Sequence, residues 1–289
     1  MFHSGERDVQ RRAGASEAAG RVGAGIRRGL TESARRFLTE QGFAVAASLD
    51  PAGAVWASAL SGSAGFVQAV DDELLRIETR HADAGLVDRL RAQAPLGLLV
   101  IDFAARRRLR LNGRALVEGD AIFLQLSETY PNCPRYIRTR RLVPKEVVPS
   151  PTTESAAAVR SRVLSDRQSA WIRSADTFFI ASFHPETGAD ASHRGGDPGF
   201  VRVNEDGSLE FPDYPGNNMF NTLGNLAEQP RAGLLFQDFD RGDVLQLTGE
   251  AYLDWSAETV RSHPGVAKLV VRFQPREIVE VEDVGVRSR

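Results

Sequence analysis

GLLVIDFAARRRLRLNGRA, residues 97–115, and GLLFQDFDRGDVLQLTGEA, residues 233–251, carry one pattern twice. They agree without a gap at G-L-L, D-F, L-x-L and G-x-A. Each run is an apolar strand, a polar turn and a second strand in which Leu alternates with polar residues, the period of a half-buried strand. Further upstream, ASLDPAG from Ala47 resembles ASFHPETG from Ala181, and a helix candidate precedes G-L-L in both copies. The chain is a duplicated domain.

Around these anchors both copies read as mainly β with short helices. In the first, a helix capped by Thr31 runs through ESARRFLTEQ to Gly42. FAVAASL, AVWASAL, GFVQAV and LLRIET follow as hairpin strands, then a helix AGLVDRLRAQ before Gly97. The second opens with a helix at RQSAWIRSA and continues with TFFIASF, GFVRV and SLEF, and KLVVRF and REIVEVE complete it. Two copies are too few for a solenoid. Packed face to face they mimic a homodimer, with two related clefts that need not both work.

The expected divisions are an N-terminal arm (1–29) without apolar periodicity, a first barrel (30–143), a linker (144–165) rich in Pro, Ser, Thr and Ala, and a second barrel (166–289). Phe2 and Val9 are the arm's candidate anchors. A net charge of −2 gives no overall attraction to nucleic acid or anionic membrane. Arg106, Arg107 and Arg108 sit where a turn enters a strand and read as solvated charge, so no nucleic-acid partner is expected. Cys133 is the single cysteine, which excludes an intramolecular disulfide or CxxC site and fits a reducing cytoplasm. No apolar run reaches the roughly 18 residues of a membrane helix, so no membrane partner is expected.

The copies diverge where a ligand would sit. DYPGNNMFNTLGNL, from Asp213, corresponds to ETRHADAGLVDRL, and ADASHRGGDPGF, from Ala189, corresponds to VWASALSGSAGF. The second copy alone has Asn217, Asn218, Asn221 and Thr222 at a helix start and Arg194 followed by Gly195 and Gly196. Helix N-termini, amide donors and a guanidinium suit a phosphate ester. Plain capping by Asn217 or Asn218, with Gly216 in a turn, is the competing explanation.

These stretches, with YPNCPRYI from Tyr130 and FHSGERDVQRRAG from Phe2, resemble the flavin-binding half of proteins related to pyridoxamine 5'-phosphate oxidase, in a bacterial subgroup with two copies per chain. The resemblance implies two tandem split β-barrels forming a pseudo-dimer, with FMN held noncovalently between them. It places Ser192, Arg194, Gly196, Asn217, Asn218, Asn221 and Thr222 around the phosphate and ribityl chain, with Trp56, Ser58 and the YPNCPRYI loop approaching from the other barrel. In that loop Arg135 is a candidate to face the flavin, while Cys133 reads as a buried filler and Tyr130 and Tyr136 as packing. P-R-E-I at Pro275 to Ile278 is retained but no Trp follows, so the resemblance implies the cofactor and not pyridoxamine phosphate as substrate.

The expected function is an FMN-dependent oxidoreductase of a small-molecule redox substrate, with NAD(P)H as a candidate reductant and a further homodimer left open. A non-enzymatic flavin carrier or sensor, a haem-binding protein and a deazaflavin protein are the alternatives. No catalytic residue is nominated, because the flavin performs the redox step. His193 is a candidate ligand contact or proton donor, His184 a loop residue, Trp171 and Trp255 packing residues, and no metal site is expected.

Overall fold

A computed structural model describes residues 2–90, 93–143, 158–263, 268–283 and 286–288. Residues 144–157 of the expected linker lie outside them. The N-terminal segment forms α1 (Ser4–Arg12) and α2 (Ser16–Gly23). Far from standing apart as an arm, α1 buries Val9 in the core of the second copy. Glu6 starts the helix by accepting the His3 backbone N–H at 2.8 Å.

The first copy comprises α3 (Glu32–Thr39), β1 (Phe43–Leu49), β2 (Val55–Ser61), β3 (Val67–Ala69), β4 (Leu74–Glu78), α4 (Ala84–Arg89), β5 (Ala94–Asp102), β6 (Arg107–Glu118) and β7 (Ala121–Pro131). Thr31 caps α3, its Oγ1 accepting from Ala34 N at 3.1 Å. Two short strands follow, β8 (Leu142–Val143) and β9 (Val159–Ser161). The second copy comprises α5 (Asp166–Ser174), β10 (Thr177–His184), β11 (Gly188–Gly195), β12 (Arg202–Val203), β13 (Leu209–Pro212), α6 (Asn221–Glu228), β14 (Arg231–Gln237), β15 (Val244–Asp254), α7 (Ala257–Ser262) and β16 (Val270–Val281), and β17 (Arg287–Ser288) pairs with β8.

The sheets have the same order: β2-β1-β5-β6-β7-β4-β3 in the first copy and β11-β10-β14-β15-β16-β13-β12 in the second, with β9 added to β16. The chain is two tandem split β-barrels packed as a pseudo-dimer. Strand alternation explains how they join. Ala44 and Ala46 of β1 face the first barrel's core, while Phe43, Val45 and Ala47 face a shared core; Phe178 and Ile180 of β10 face the second barrel's, while Phe179 and Ala181 face the shared one.

The duplicated G-L-L marks the tightest crossings between barrels. A Cβ on Gly97 would lie 2.5 Å from Ala189 O, and one on Gly233 would lie 2.7 Å from Val55 O. Both repeats need glycine because the other copy's backbone occupies the side-chain position. No helix among the described residues is long and apolar enough to cross a membrane.

Candidate functional site

The first copy's β6 and the second copy's β11 face each other across one cleft. β6 contributes Arg108, Arg110 and Asn112, alternating with the core residues Leu109 and Leu111. β11 contributes Asp190, Ser192 and Arg194. Arg110 Nη1 lies 2.8 Å from both oxygens of Asp190, and its Nη2 donates to Ser192 Oγ at 2.7 Å. Thr222 Oγ1, from the first turn of α6, donates to Asp190 Oδ2 at 3.2 Å.

Two loops close the cleft. Asn217 Nδ2 donates to Asn132 Oδ1 at 3.0 Å, while Arg135 Nη1 and Tyr136 OH donate to Pro215 O at 3.3 and 3.0 Å. Tyr136 stacks on Tyr214 at 5.3 Å. The loop before α6 holds two non-glycine residues in the left-handed region, Asn218 (φ 62) and Phe220 (φ 59). Neither Asn217 nor Asn218 caps α6: Phe220 occupies the cap position, and Asn217 Oδ1 instead accepts from Met219 N at 3.1 Å. The simple capping explanation therefore does not describe this helix start.

Adjoining hollows of about 80 and 70 Å³ open here, each with room for several waters or a phosphate group. The first is lined by Arg110, Arg194, Asn217, Asn218, Asn221, Thr222, Asp213 and Lys268, among others. The second is lined by Arg108, Arg110, Arg135 and Arg194 with Ser192, His193 and Asn217, and no carboxylate. Burial, then Arg110 and Arg194, push the Arg108 guanidinium down to about 9. Burial also opposes charge on Arg110, but Asp190 and Tyr130 outweigh it and hold the group more firmly protonated. Arg194 is lowered by burial despite Asp213, whose Oδ1 lies 3.1 Å from its Nη1.

The expected residues Ser192, Arg194, Asn217, Asn218, Asn221, Thr222 and Arg135 thus gather at one place. Gly196 does not line either hollow; a Cβ there would lie 2.5 Å from the Phe200 ring, so its use is packing. Trp56 and Ser58 belong to the pseudo-symmetric cleft. There Arg89 of α4 donates to Ser48 Oγ and Ser58 Oγ, both at 2.8 Å, Gln246 Nε2 donates to Ser58 Oγ at 3.1 Å, and Trp56 Nε1 donates to Asp50 at 3.0 Å. They do not approach Arg194 because the duplication sends β2 against β15, while β11 meets β6.

Arg108 is not the solvated turn charge expected. Its Nη1 donates to His193 Nδ1 at 2.9 Å and its Nε to Cys133 O at 3.0 Å. Arg108, Arg110 and Asn112 were legible as a polar stripe on a strand whose repeat counterparts, Val244, Gln246 and Thr248, carry no charge. His193 is buried, and burial with Arg108 pulls it well below its ordinary value, so it is neutral. Cys133 is half-buried rather than a core filler. His184 is buried, away from the hollows, stacked on His3 at 3.8 Å.

No family model and no curated protein matches the chain. Solved structures similar to it include HupZ from Group A Streptococcus (12% identity, TM-score 0.35), covering 44% of this chain and 100% of that one. A candidate pyridoxamine 5'-phosphate oxidase from Lactobacillus delbrueckii has 11% identity and a TM-score of 0.35, covering 41% of this chain and 94% of that one. An F420 reductase has 12% identity and a TM-score of 0.30, covering 40% of this chain and 98% of that one.

Proposed function

We propose that the chain binds FMN with its phosphate in the arginine-lined hollow and acts as an FMN-dependent oxidoreductase on a small molecule. Arg108 carries the reading. Among the described residues no carboxylate pairs with it, although two further guanidiniums stand beside it. Arg108 is half-buried; cations withdrawn from water are ordinarily paired, and a phosphate dianion is the counter-charge this hollow lacks. Arg110 Nε, Arg194 Nε and Asn132 Nδ2 are buried donors without a protein partner, and they suit phosphate oxygens.

When bound, FMN would supply hydride or electron transfer. The chain's own contribution is to hold and orient. Arg108, Arg110, Arg135 and Arg194 supply positive charge, Asn217 and Ser192 add hydrogen-bonding groups, and Asp190 and Asp213 fix two of the guanidiniums. His193 accepts from Arg108 at Nδ1, so its proton sits on Nε2; being neutral, it serves as a hydrogen-bonding group and not as an acid near pH 7.

Mass spectrometry of ligand released from native protein should find FMN, and titration with FMN should quench flavin fluorescence. A colourless protein that does neither overturns the cofactor assignment. Unchanged FMN affinity in Arg194→Ala would remove the phosphate from this hollow. Stopped-flow mixing with NADPH or NADH should reduce the bound flavin; no turnover with any reductant would leave a flavin carrier.

A further inference from the structure

The stretch FHSGERDVQ, residues 2–10, has a use in this site. His3, Glu6 and Gln10 are 4%, 4% and 3% exposed, at helical spacing on one face. All three bond to α6 or the loop before it. Glu6 Oε1 accepts from Asn221 Nδ2 at 2.5 Å, and Gln10 Nε2 donates to Met219 O at 2.8 Å. His3 Nε2 lies 2.9 Å from Asn225 Oδ1; Asn225 Nδ2 already donates to Ser182 Oγ at 2.9 Å, so the histidine is the donor. A Cβ on Gly5 would lie 2.4 Å from Gly224 O, so the two helices cross without room for a side chain.

These bonds fall around the left-handed residues Asn218 and Phe220. A non-glycine residue persists there only where its surroundings over-determine it, and α1 contributes through its bonds to Met219 O and Asn221 Nδ2. Among the described residues the first copy's α4 has no such helix laid across it.

We propose that α1 is a latch for the ligand loop: docked on α6 it holds residues 217–222 in the binding conformation, and undocked it lets them relax and ligand affinity fall. The proposal rests on the reading of this loop as part of the phosphate site. Coupling is reciprocal, so a ligand in the hollow also strengthens docking of α1. His3, His184 and Glu228 form the latch's outer clasp. Their potential metal-ligating atoms lie within 4.8 Å of one another, yet the two rings are stacked at 11°, which sets their in-plane lone pairs side by side. His184 Nδ1 also accepts from Glu186 N at 3.2 Å, so its proton sits on Nε2, which donates to Glu228 at 2.8 Å. Within the clasp the hydrogen bond joins His184 to Glu228, and His3 meets them through its stacked ring.

The test uses Gly5→Val, which crowds the crossing without touching a residue that lines the hollow, and the milder Gln10→Ala, with exposed Arg11→Ala as control. In ligand-free protein, amide hydrogen exchange at 217–222 should quicken in both test variants and stay unchanged in the control. FMN binding should weaken about tenfold, within the usual range of coupling between sites, while the barrel amides stay protected. Adding FMN to wild type should raise protection of α1. Wild-type exchange at 217–222 in both variants, or α1 amides indifferent to saturating FMN, overturns the latch. If wild type binds no FMN, the cofactor reading falls and the exchange of ligand-free variants still decides the positioning claim.

Discussion

Arg110 of β6 and Asp190 of β11 form a buried ion pair between the two copies, Nη1 lying 2.8 Å from each carboxylate oxygen. Asp190 also accepts from Asn112 Nδ2 at 3.3 Å, Tyr130 OH at 3.4 Å and Thr222 Oγ1 at 3.2 Å. One carboxylate thereby ties both barrels and the start of α6 to the strands that line the arginine-rich hollow. Removing either partner leaves a buried charge uncompensated. Asp190→Ala and Arg110→Met should each cost about 3–5 kcal/mol in urea unfolding, and the double variant less than their sum.

Arg108 should behave in the opposite way. Its guanidinium lacks a carboxylate and is pushed down by burial, Arg110 and Arg194, so Arg108→Met relieves repulsion while giving up the bonds to His193 Nδ1 and Cys133 O, and the unfolding midpoint should change little. FMN binding should weaken by about 1.5–3 kcal/mol, the worth of a hydrogen bond to a charged group. Equal losses of stability and affinity, measured by urea unfolding and fluorescence titration, would show that Arg108 is structural.

In the pseudo-symmetric cleft Arg89 is already taken up by Ser48 and Ser58, so FMN should bind at one molecule per chain. Arg89→Ala deprives the fully buried hydroxyls of Ser48 and Ser58 of a donor and should cost about 1–3 kcal/mol of stability. Isothermal titration should return unchanged FMN affinity and stoichiometry. A second equivalent of FMN binding to wild type would count against this assignment.

The duplicated glycines make a paired test of the fold. Gly97→Ala and Gly233→Ala each press a methyl against backbone of the other barrel, and backbone yields less readily than a side chain. Each should cost about 1–3 kcal/mol by overpacking, seen as a lowered denaturant midpoint.

The repeat made the fold legible because G-L-L, L-x-L and G-x-A report local strand geometry and the closest crossing. Divergence between copies pointed to Arg194 and Asn217 because the two clefts hold different side chains at equivalent places. Trp56 and Ser58 went astray because sequence shows that strands from opposite copies meet, not which β2-type strand meets which β6-type strand. Arg108 was hidden by the exposed Arg106 and Arg107 beside it, and α1 by a face of His, Glu and Gln, which is buried only because Asn221, Asn225 and Met219 O answer each side chain.

Glu6 gives the latch a pH dependence. Burial pushes its carboxyl up to about 7 from 4.5, against hydrogen bonds from His3 N–H and Asn221, with Glu128 and Asp190 adding repulsion. On the same helix face, His3 is lowered by burial and by His184, while Glu228 and Glu186 act to raise it. A carboxyl raised on folding binds its proton more tightly in the native state. Its contribution to stability is therefore complete below about pH 4.5 and is lost as pH rises through about 7. Glu6→Gln removes this titration and leaves the others in place, so the wild-type minus variant difference in unfolding free energy should fall between about pH 4.5 and 7 and level off above. Urea unfolding across pH 4.5–8 measures it; a difference that does not change with pH would mean that Glu6 titrates as it does in water, and that α1 does not stay docked over it.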